Sequence, residues 1–313
     1  MADNLNEKEV KNSQDLPKVM KRKDVKELTK KQLAMKILVN IALYAFLLFM
    51  ALIVIFPFYW MIISSLKSIP EYNASVPTLW PQQFKWDNYT MAFDEDGLNI
   101  GRLFFNTCYV GIVSTILSLV ITVLSAFAFA RLEFKGKNAV FAALLATMMI
   151  PGELFTITNY VTVAQLGWLD SFTVLIVPFL VSVFYIYLLR QNFLQIPNEL
   201  YLAAKVDGTS DLKYLWKVMI PLSAPTLVSI TILKMMGAWN SYVWPNLVTQ
   251  DEAYTLITVG LRGAEFTDEL NPSMVNYPAQ MAAVVLVTIP LFMVFLFFRK
   301  YIMRGVSRSG IKG

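Results

Sequence analysis

The sequence predicts an all-α, polytopic membrane protein with six transmembrane helices and one polar helical elbow on the cytoplasmic side. Three observations lead there. The 313 residues are 56% hydrophobic and only 16% charged, where a soluble domain carries about 25% charged residues. The apolar residues are gathered into runs of about the 20 residues that cross a hydrocarbon core. The 27 Lys and Arg are sorted by side: in a six-span arrangement 22 fall on one side and 4 on the other, with Lys234 inside a span. Lys and Arg accumulate in cytoplasmic loops, so the richer side is the cytoplasm and both termini lie there.

Residues 1–36 form a basic N-terminal tail, with ten Lys/Arg against six Asp/Glu. The cluster Lys18, Lys21, Arg22, Lys23, Lys26, Lys30 and Lys31 reads as the anchor that orients the first span. Binding of anionic lipid or nucleic acid is the alternative reading. The tail is no cleavable signal peptide, because the apolar run starts late, is too long, and lacks a small-residue cleavage site. The six-span domain covers 37–302. Span 1, Ile37 to Leu66, has no charge, with Pro57 as a bend and Tyr59 and Trp60 at the far interface. Residues 68–102 carry three prolines and the acidic cluster Asp94, Glu95, Asp96, and read as an extracytoplasmic loop.

Span 2, Leu103 to Ala130, is again free of charge and ends in a short basic loop with Arg131, Lys135 and Lys137. Span 3 runs from about Asn138 to Asn159, bent at Pro151-Gly152. The loop Gly167 to Asp170 leads to span 4, Ser171 to Leu189, closed by Arg190. Span 5 extends from near Ile220 to Trp244-Pro245 and span 6 from Ala279 to Phe298. Between them lies an acidic loop with Asp251, Glu252, Glu265, Asp268 and Glu269. Residues 303–313 are a basic cytoplasmic tail.

The elbow is Pro197 to Pro225, PNELYLAAKVDGTSDLKYLWKVMIPLSAP. Too polar to span, it reads as two short helices at an angle. Asn198 is the expected N-cap, with Glu199 in the first turn where the helix dipole favours an anion. Leu200, Ala203 and Ala204 give an apolar stripe. Gly208 stops the helix by taking the left-handed C′ conformation. Ser210 or Thr209 caps a second helix that ends before Pro221.

Composition also excludes functions. There is no His, which removes His triads, His metal sites and His pH switching. The single Cys108 allows no internal disulfide. No P-loop is present, since Lys135-Gly136-Lys137 lacks the upstream glycine. The net charge of +5 reports orientation in the membrane, not nucleic acid.

The stretch Pro197-x-Glu199-Leu200-x-x-Ala203-Ala204-x-x-Asp207-Gly208, followed by Ile220-Pro221-Leu222, resembles the EAA loop of bacterial ABC-importer permeases. The likeness extends to FPFYWMIISSLKS at 56–68, FFNTCYVG at 104–111, AFAFARLEFKGK at 126–137 and MMIPGE at 148–153. It continues through LGWLDS at 166–171, LLRQNFLQIP at 188–197, AWNSYVWP at 238–245 and the terminal GVSRSGIKG. The pattern is similar to the carbohydrate-importer branch, nearest to the second permease of maltose-like importers. The resemblance implies a bacterial inner-membrane permease for a carbohydrate such as an oligosaccharide, with no catalytic site or metal of its own. It implies as partners a second homologous permease, a cytoplasmic ABC ATPase dimer that holds ATP and Mg, and an extracytoplasmic sugar-binding protein. It also implies that loop 197–221 is the coupling helix, with Glu199, Leu202, Ala203, Ala204, Asp207 and Gly208 at the ATPase-docking positions. Leu202 departs from the family, which usually has Glu there, while Glu199 matches a second common acidic position.

Four residues are candidates for the substrate pathway. Glu153 and Lys234 lie within spans, some 13 to 15 residues from the inner end, or about 20 Å of helix. Charges there usually face an interior or a partner. The two are expected to face the central cavity, paired with each other, with snorkelling to the outer interface as the alternative. Trp239 and Asn240, with Trp244, supply the aromatic faces and amide bonds that hold sugars. Interhelical bonding and interface anchoring are the competing reading. The rival classes are a permease for a polyol or glycerol phosphate, a secondary transporter that needs no ATPase, and a membrane enzyme.

Overall fold

The computed structural model describes residues 30–93, 98–264, 266 and 275–307, with only the backbone for 30–33, 92 and 301–307. Among the described residues every regular element is helical. The main helices are α1 (Lys30–Ser65), α2 (Ile100–Arg131), α3 (Lys137–Thr147), α4 (Thr156–Gln165), α5 (Phe172–Ile176) and α6 (Val183–Leu194). They continue as α7 (Asn198–Val206), α8 (Ala224–Trp239), α9 (Val243–Val248), α10 (Ile257–Gly263) and α11 (Tyr277–Ser307). The basic cluster from Lys18 to Lys26, the acidic cluster Asp94–Asp96, residues Glu265, Asp268 and Glu269, and the end of the C-terminal tail lie outside the described residues.

Contacts divide the chain into two units, Met1–Phe58 and Tyr59–Gly313. In the first, α1 is apolar and exposed all round from Ile37 to Phe58. Such a surface is untenable in water and ordinary in hydrocarbon, where the helix satisfies its own backbone. In the second unit α2 is the central helix. It packs against α6 and α8, and α8 packs in turn against α11. Small residues make these approaches close: Gly111, Ser114, Ser118 and Thr122 are buried at three- and four-residue spacing on α2. A Cβ on Gly111 would meet the Met235 sulfur at 3.0 Å. Packing of this kind holds membrane helices together where lipid offers no hydrophobic drive.

Three helices, Ala34–Ser65, Ile100–Arg131 and Tyr277–Lys300, are each long and apolar enough to cross a membrane. Three bent pairs complete six spans if each pair counts as one. Lys137–Thr147 with Gly152–Gln165 bends by 82°, Phe172–Phe179 with Val183–Leu194 by 45°, and Asp211–Leu222 with Ala224–Trp239 by 80°. Counted so, spans 3, 4 and 5 are broken helices, not the continuous ones expected for spans 4 and 5. The break before Pro151-Gly152 is where the sequence placed it. In span 4 the chain re-nucleates at Ser182, whose hydroxyl accepts from the Tyr185 N–H at 3.4 Å. The second elbow helix runs through Pro221 and breaks at Ser223 instead. A π-turn, Leu215–Met219, precedes Pro221, and Pro225 sits in the first turn of α8, where its missing N–H costs nothing. α8 ends at Trp239, five residues short of the expected Trp244, and α9 follows as a separate turn. Both α1 and α11 continue as single helices through Pro57 and Pro290.

Connectors placed on one side by charge touch others from the same side. On the poorer side, Asp170 accepts from the backbone N–H of Gln250 and of Asp251, and Arg102 pairs with Glu252 at 2.9 Å. On the richer side, Arg131 reaches the chain after α6. The segment after α1 is folded, not extended. Buried Lys67 donates to Thr78 O, and buried Glu71 accepts from the Thr78 hydroxyl at 2.6 Å and the Gln82 N–H at 3.0 Å. The Asn88 amide donates to Ser65 O and Lys67 O, each at 2.9 Å.

Candidate functional site

Two places carry the residues singled out from sequence: the elbow after α6, and a cavity among α2, α6 and α8. The elbow's first helix, α7, ends in a Schellman motif. Gly208 has φ +69°, the Thr209 N–H donates to Ala204 O at 2.8 Å, and the Gly208 N–H donates to Lys205 O at 3.0 Å. This is the conformation foreseen for Gly208. The N-terminus differs. Pro197 is the N-cap residue and no side chain caps the turn; Asn198 instead accepts from Arg131 at 3.3 Å. Ser210 occupies the cap of the second helix, without a side-chain bond to it.

The inner face of α7 also differs from the expected stripe. Tyr201 and Ala204 pack on the core formed by Phe127, Phe193, Tyr214 and Leu215. Leu200 and Ala203 are exposed. A helix with apolar residues at 200–204 has two candidate buried faces, and the bulkier Tyr201 takes the core. The outer face then holds Glu199, Leu202, Ala203 and Val206 at helical spacing, with Asp207 and Gly208 exposed at its end. Leu202 is 55% exposed, Val206 88% and, on the next helix, Trp216 65%. An exposed apolar strip rimmed by charge is the usual signature of a protein contact.

Two sets of bonds stiffen this elbow, and neither was read from sequence. Asp211 accepts from the Tyr201 hydroxyl at 2.7 Å and pairs with Lys205 at 2.6 Å, which latches the two helices together. The Asp211 carboxylate raises the Lys205 ammonium above its ordinary range, and burial followed by Asp211 raises the Tyr201 hydroxyl. Arg131, 7% exposed at the end of α2, donates to Phe193 O at 2.9 Å and Ile196 O at 2.6 Å. These carbonyls belong to the last turn of α6 and the bend after it, so one guanidinium ties span 2 to the root of the elbow. Arg190 adds a second tie, donating to Phe129 O at 3.0 Å.

The cavity has a volume of ≈ 370 Å³ and its wall includes Ser114, Ser182, Tyr185, Lys234, Ser241 and Trp244. The Lys234 ammonium donates to Phe179 O at 2.6 Å. That carbonyl stands at the break in span 4, where the regular helical acceptor pattern is interrupted. Glu153 is exposed on the turn Gly152–Phe155, and no ion pair joins it to Lys234. The proposed pairing is therefore absent from this conformation. Trp239 turns away from the cavity into the core, edge-on to Phe104 with ring centroids 5.5 Å apart. Asn240 is exposed, and its amide donates back to Met236 O at 2.9 Å, closing the end of α8. Neither lines this cavity. Trp244 does, and its indole N–H donates to Val174 O at 3.0 Å. Among the described residues no group of three or more His, Cys, Asp or Glu is placed to hold a metal.

Comparison with known proteins gives a consistent picture. Residues 118–308 match the family model described as binding-protein-dependent transport system inner membrane component. The arabinooligosaccharides transport system permease protein AraQ of Bacillus subtilis (strain 168) is 30% identical over 279 residues, 88% of this chain and 96% of that protein. The sn-glycerol-3-phosphate transport system permease protein UgpE of Rhizobium meliloti (strain 1021) is 31% identical over 264 residues, 82% and 92% of the two chains. In shape, the chain is similar to a solved structure of a bacterial ABC transporter involved in the import of the acidic polysaccharide alginate. The TM-score is 0.75 at 24% identity, over 87% of this chain and 98% of that one.

Proposed function

The chain belongs to the family of binding-protein-dependent transport system inner membrane components, and we propose that it is one of two paired permeases of an ATP-driven carbohydrate importer. In this reading residues 37–302 are the membrane domain, between cytoplasmic tails 1–36 and 303–313. The elbow 197–221 seats on a separate ATPase, which binds ATP and Mg. Outer loops 68–102 and 246–278 receive the sugar-binding protein. No chemistry is done on the sugar. Closure of the ATPase pushes α7, and the push passes through Arg131 to span 2 and through the second elbow helix to α8.

The observation that carries this reading is the elbow itself. Leu202 and Val206 on α7 and Trp216 on the next helix are exposed apolar side chains on an elbow that Gly208, Asp211 and Arg131 brace. A flexible loop would absorb a push, whereas a braced two-state element transmits it. The Leu202 departure fits apolar docking, with Glu199 as the remaining acid on that face. A second solute reading, an anionic solute such as glycerol phosphate or a sugar acid, is motivated by Lys234 in the cavity wall and by the glycerol-phosphate permease among the relatives.

The test is a double substitution, Leu202→Asp with Val206→Asp. Both side chains are exposed, so the chain should fold and insert as before while the ATPase no longer co-purifies and uptake stops. Retention of a full complement of ATPase by this variant contradicts the docking role.

A further inference from the structure

We propose that the ≈ 370 Å³ cavity is a solute subsite of this subunit and that Lys234 receives an anionic oxygen there, the carboxylate or phosphate of an acidic sugar. The inference rests on the permease reading above and adds a substrate class to it. A lysine inside a span is costly unless it serves an interior site. An ammonium has three N–H donors, and the structure assigns one of them, to Phe179 O at 2.6 Å. No carboxylate lies within ion-pair distance of it among the described residues.

Several of the cavity's polar groups are engaged: Ser114 donates to Gly111 O at 3.3 Å, Ser182 accepts from the Tyr185 N–H, and Trp244 donates to Val174 O. The Ser182, Tyr185 and Ser241 hydroxyls in the wall supply neutral polar groups. Among the described residues Lys234 is the one charged group in the wall, and its remaining donors call for an acceptor with negative charge. The start of α6 faces the same space through Ser182, and its dipole adds a field of the same sign. The volume falls at the lower end of the range of about 300–1,000 Å³ typical of small-molecule sites, enough for a sugar unit and its acid group.

The experiment uses the complex purified from membranes and reconstituted in proteoliposomes, with wild type, Lys234→Met and Lys234→Arg. ATP-driven uptake is measured for labelled digalacturonate, its neutral methyl ester, glycerol 3-phosphate and maltotriose. The expected result is uptake of at least one of the two anions, reduced about tenfold or more by Lys234→Met, the size of one lost charge-assisted hydrogen bond. Lys234→Arg retains most of that uptake. If Lys234→Met lowers anionic and neutral uptake equally, Lys234 is only a brace for Phe179 and the subsite is wrong. Wild-type uptake of neutral probes alone, or of neither anion, also overturns it while leaving the permease reading intact. A preparation with no bound ATPase and no ATP-driven uptake of any probe overturns the permease reading itself.

Discussion

Residues 66–90 and 197–223 both lie outside the apolar runs, yet they dispose of their polar and apolar groups in opposite ways. The segment after α1 buries charge. Lys67 and Glu71 are enclosed and bonded to the segment's own backbone, and Asn88 ties it to the end of α1. The elbow exposes apolar side chains, Leu202, Val206, Leu212 and Trp216, and is braced by its Lys205–Asp211 pair and by Arg131 of α2. A segment that satisfies its buried charges internally is complete as it stands. One that presents a stiff apolar strip has the pattern of a protein contact. In the proposed reading, a self-contained cap and a docking element thus differ within a single chain by where each keeps its polarity.

Substitutions can break that contrast, and the largest effect is expected at the joint between elbow and spans. Arg131→Ala removes two charge-assisted bonds, to the Phe193 and Ile196 carbonyls, from a buried site, a loss of about 3 kcal/mol or more. Thermal unfolding of the purified chain checks the magnitude. Arg131→Lys, with one compact head in place of a fork, should restore stability better than coupling, read as uptake per ATP hydrolysed. Next is Glu71→Ala in the cap, which strands the Thr78 hydroxyl and Gln82 N–H at about 1–3 kcal/mol each when left unpaired. Its unfolding temperature should drop while ATPase co-purification stays normal, because the cap and the docking strip are separate. The reverse pattern is expected for Trp216→Glu: unchanged melting, weakened ATPase binding.

The smallest effect concerns acid. Asp170 is held below its ordinary value of 3.8 by the Asp251 and Gln250 N–H groups. A lowered carboxyl contributes stability that is full above the ordinary value and lost as pH falls through the lowered one. Hydrogen exchange at the Gln250 and Asp251 amides should therefore quicken only below about pH 4. Asp170→Asn, which keeps tolerance for the positive φ of 50° at this residue, should remove that acid dependence.

The sequence carried the apolar runs, the break at Pro151-Gly152 and the left-handed turn at Gly208. Each depends on a local or compositional property that no tertiary contact overrides. The elbow's buried face did not follow, because apolar residues at both 200 and 201 leave the stripe's phase open until the core selects Tyr201. Arg131 counted only as a topology charge. A basic residue at a helix end has the same pattern whether it is solvated or reaches two carbonyls sixty residues away. Breaks at Ser182 and Ser223 were equally hidden, since serine is common in spans and only the Tyr185 cap and the π-turn before Pro221 reveal its role. Trp239 and Trp244 fall on different sides of a helix end that hydropathy does not register. One therefore enters the core and the other the cavity wall.

The docking claim is tested most directly by a photo-crosslink from α7. Val206 is 88% exposed on its outer face, and benzoylphenylalanine placed there should fit without repacking the core. Irradiated in native membranes, it is predicted to join this chain to a single nucleotide-hydrolysing protein, and addition of ATP should change the yield. Crosslinks to lipid alone, or to no protein in membranes that still carry out ATP-driven uptake, would contradict the account.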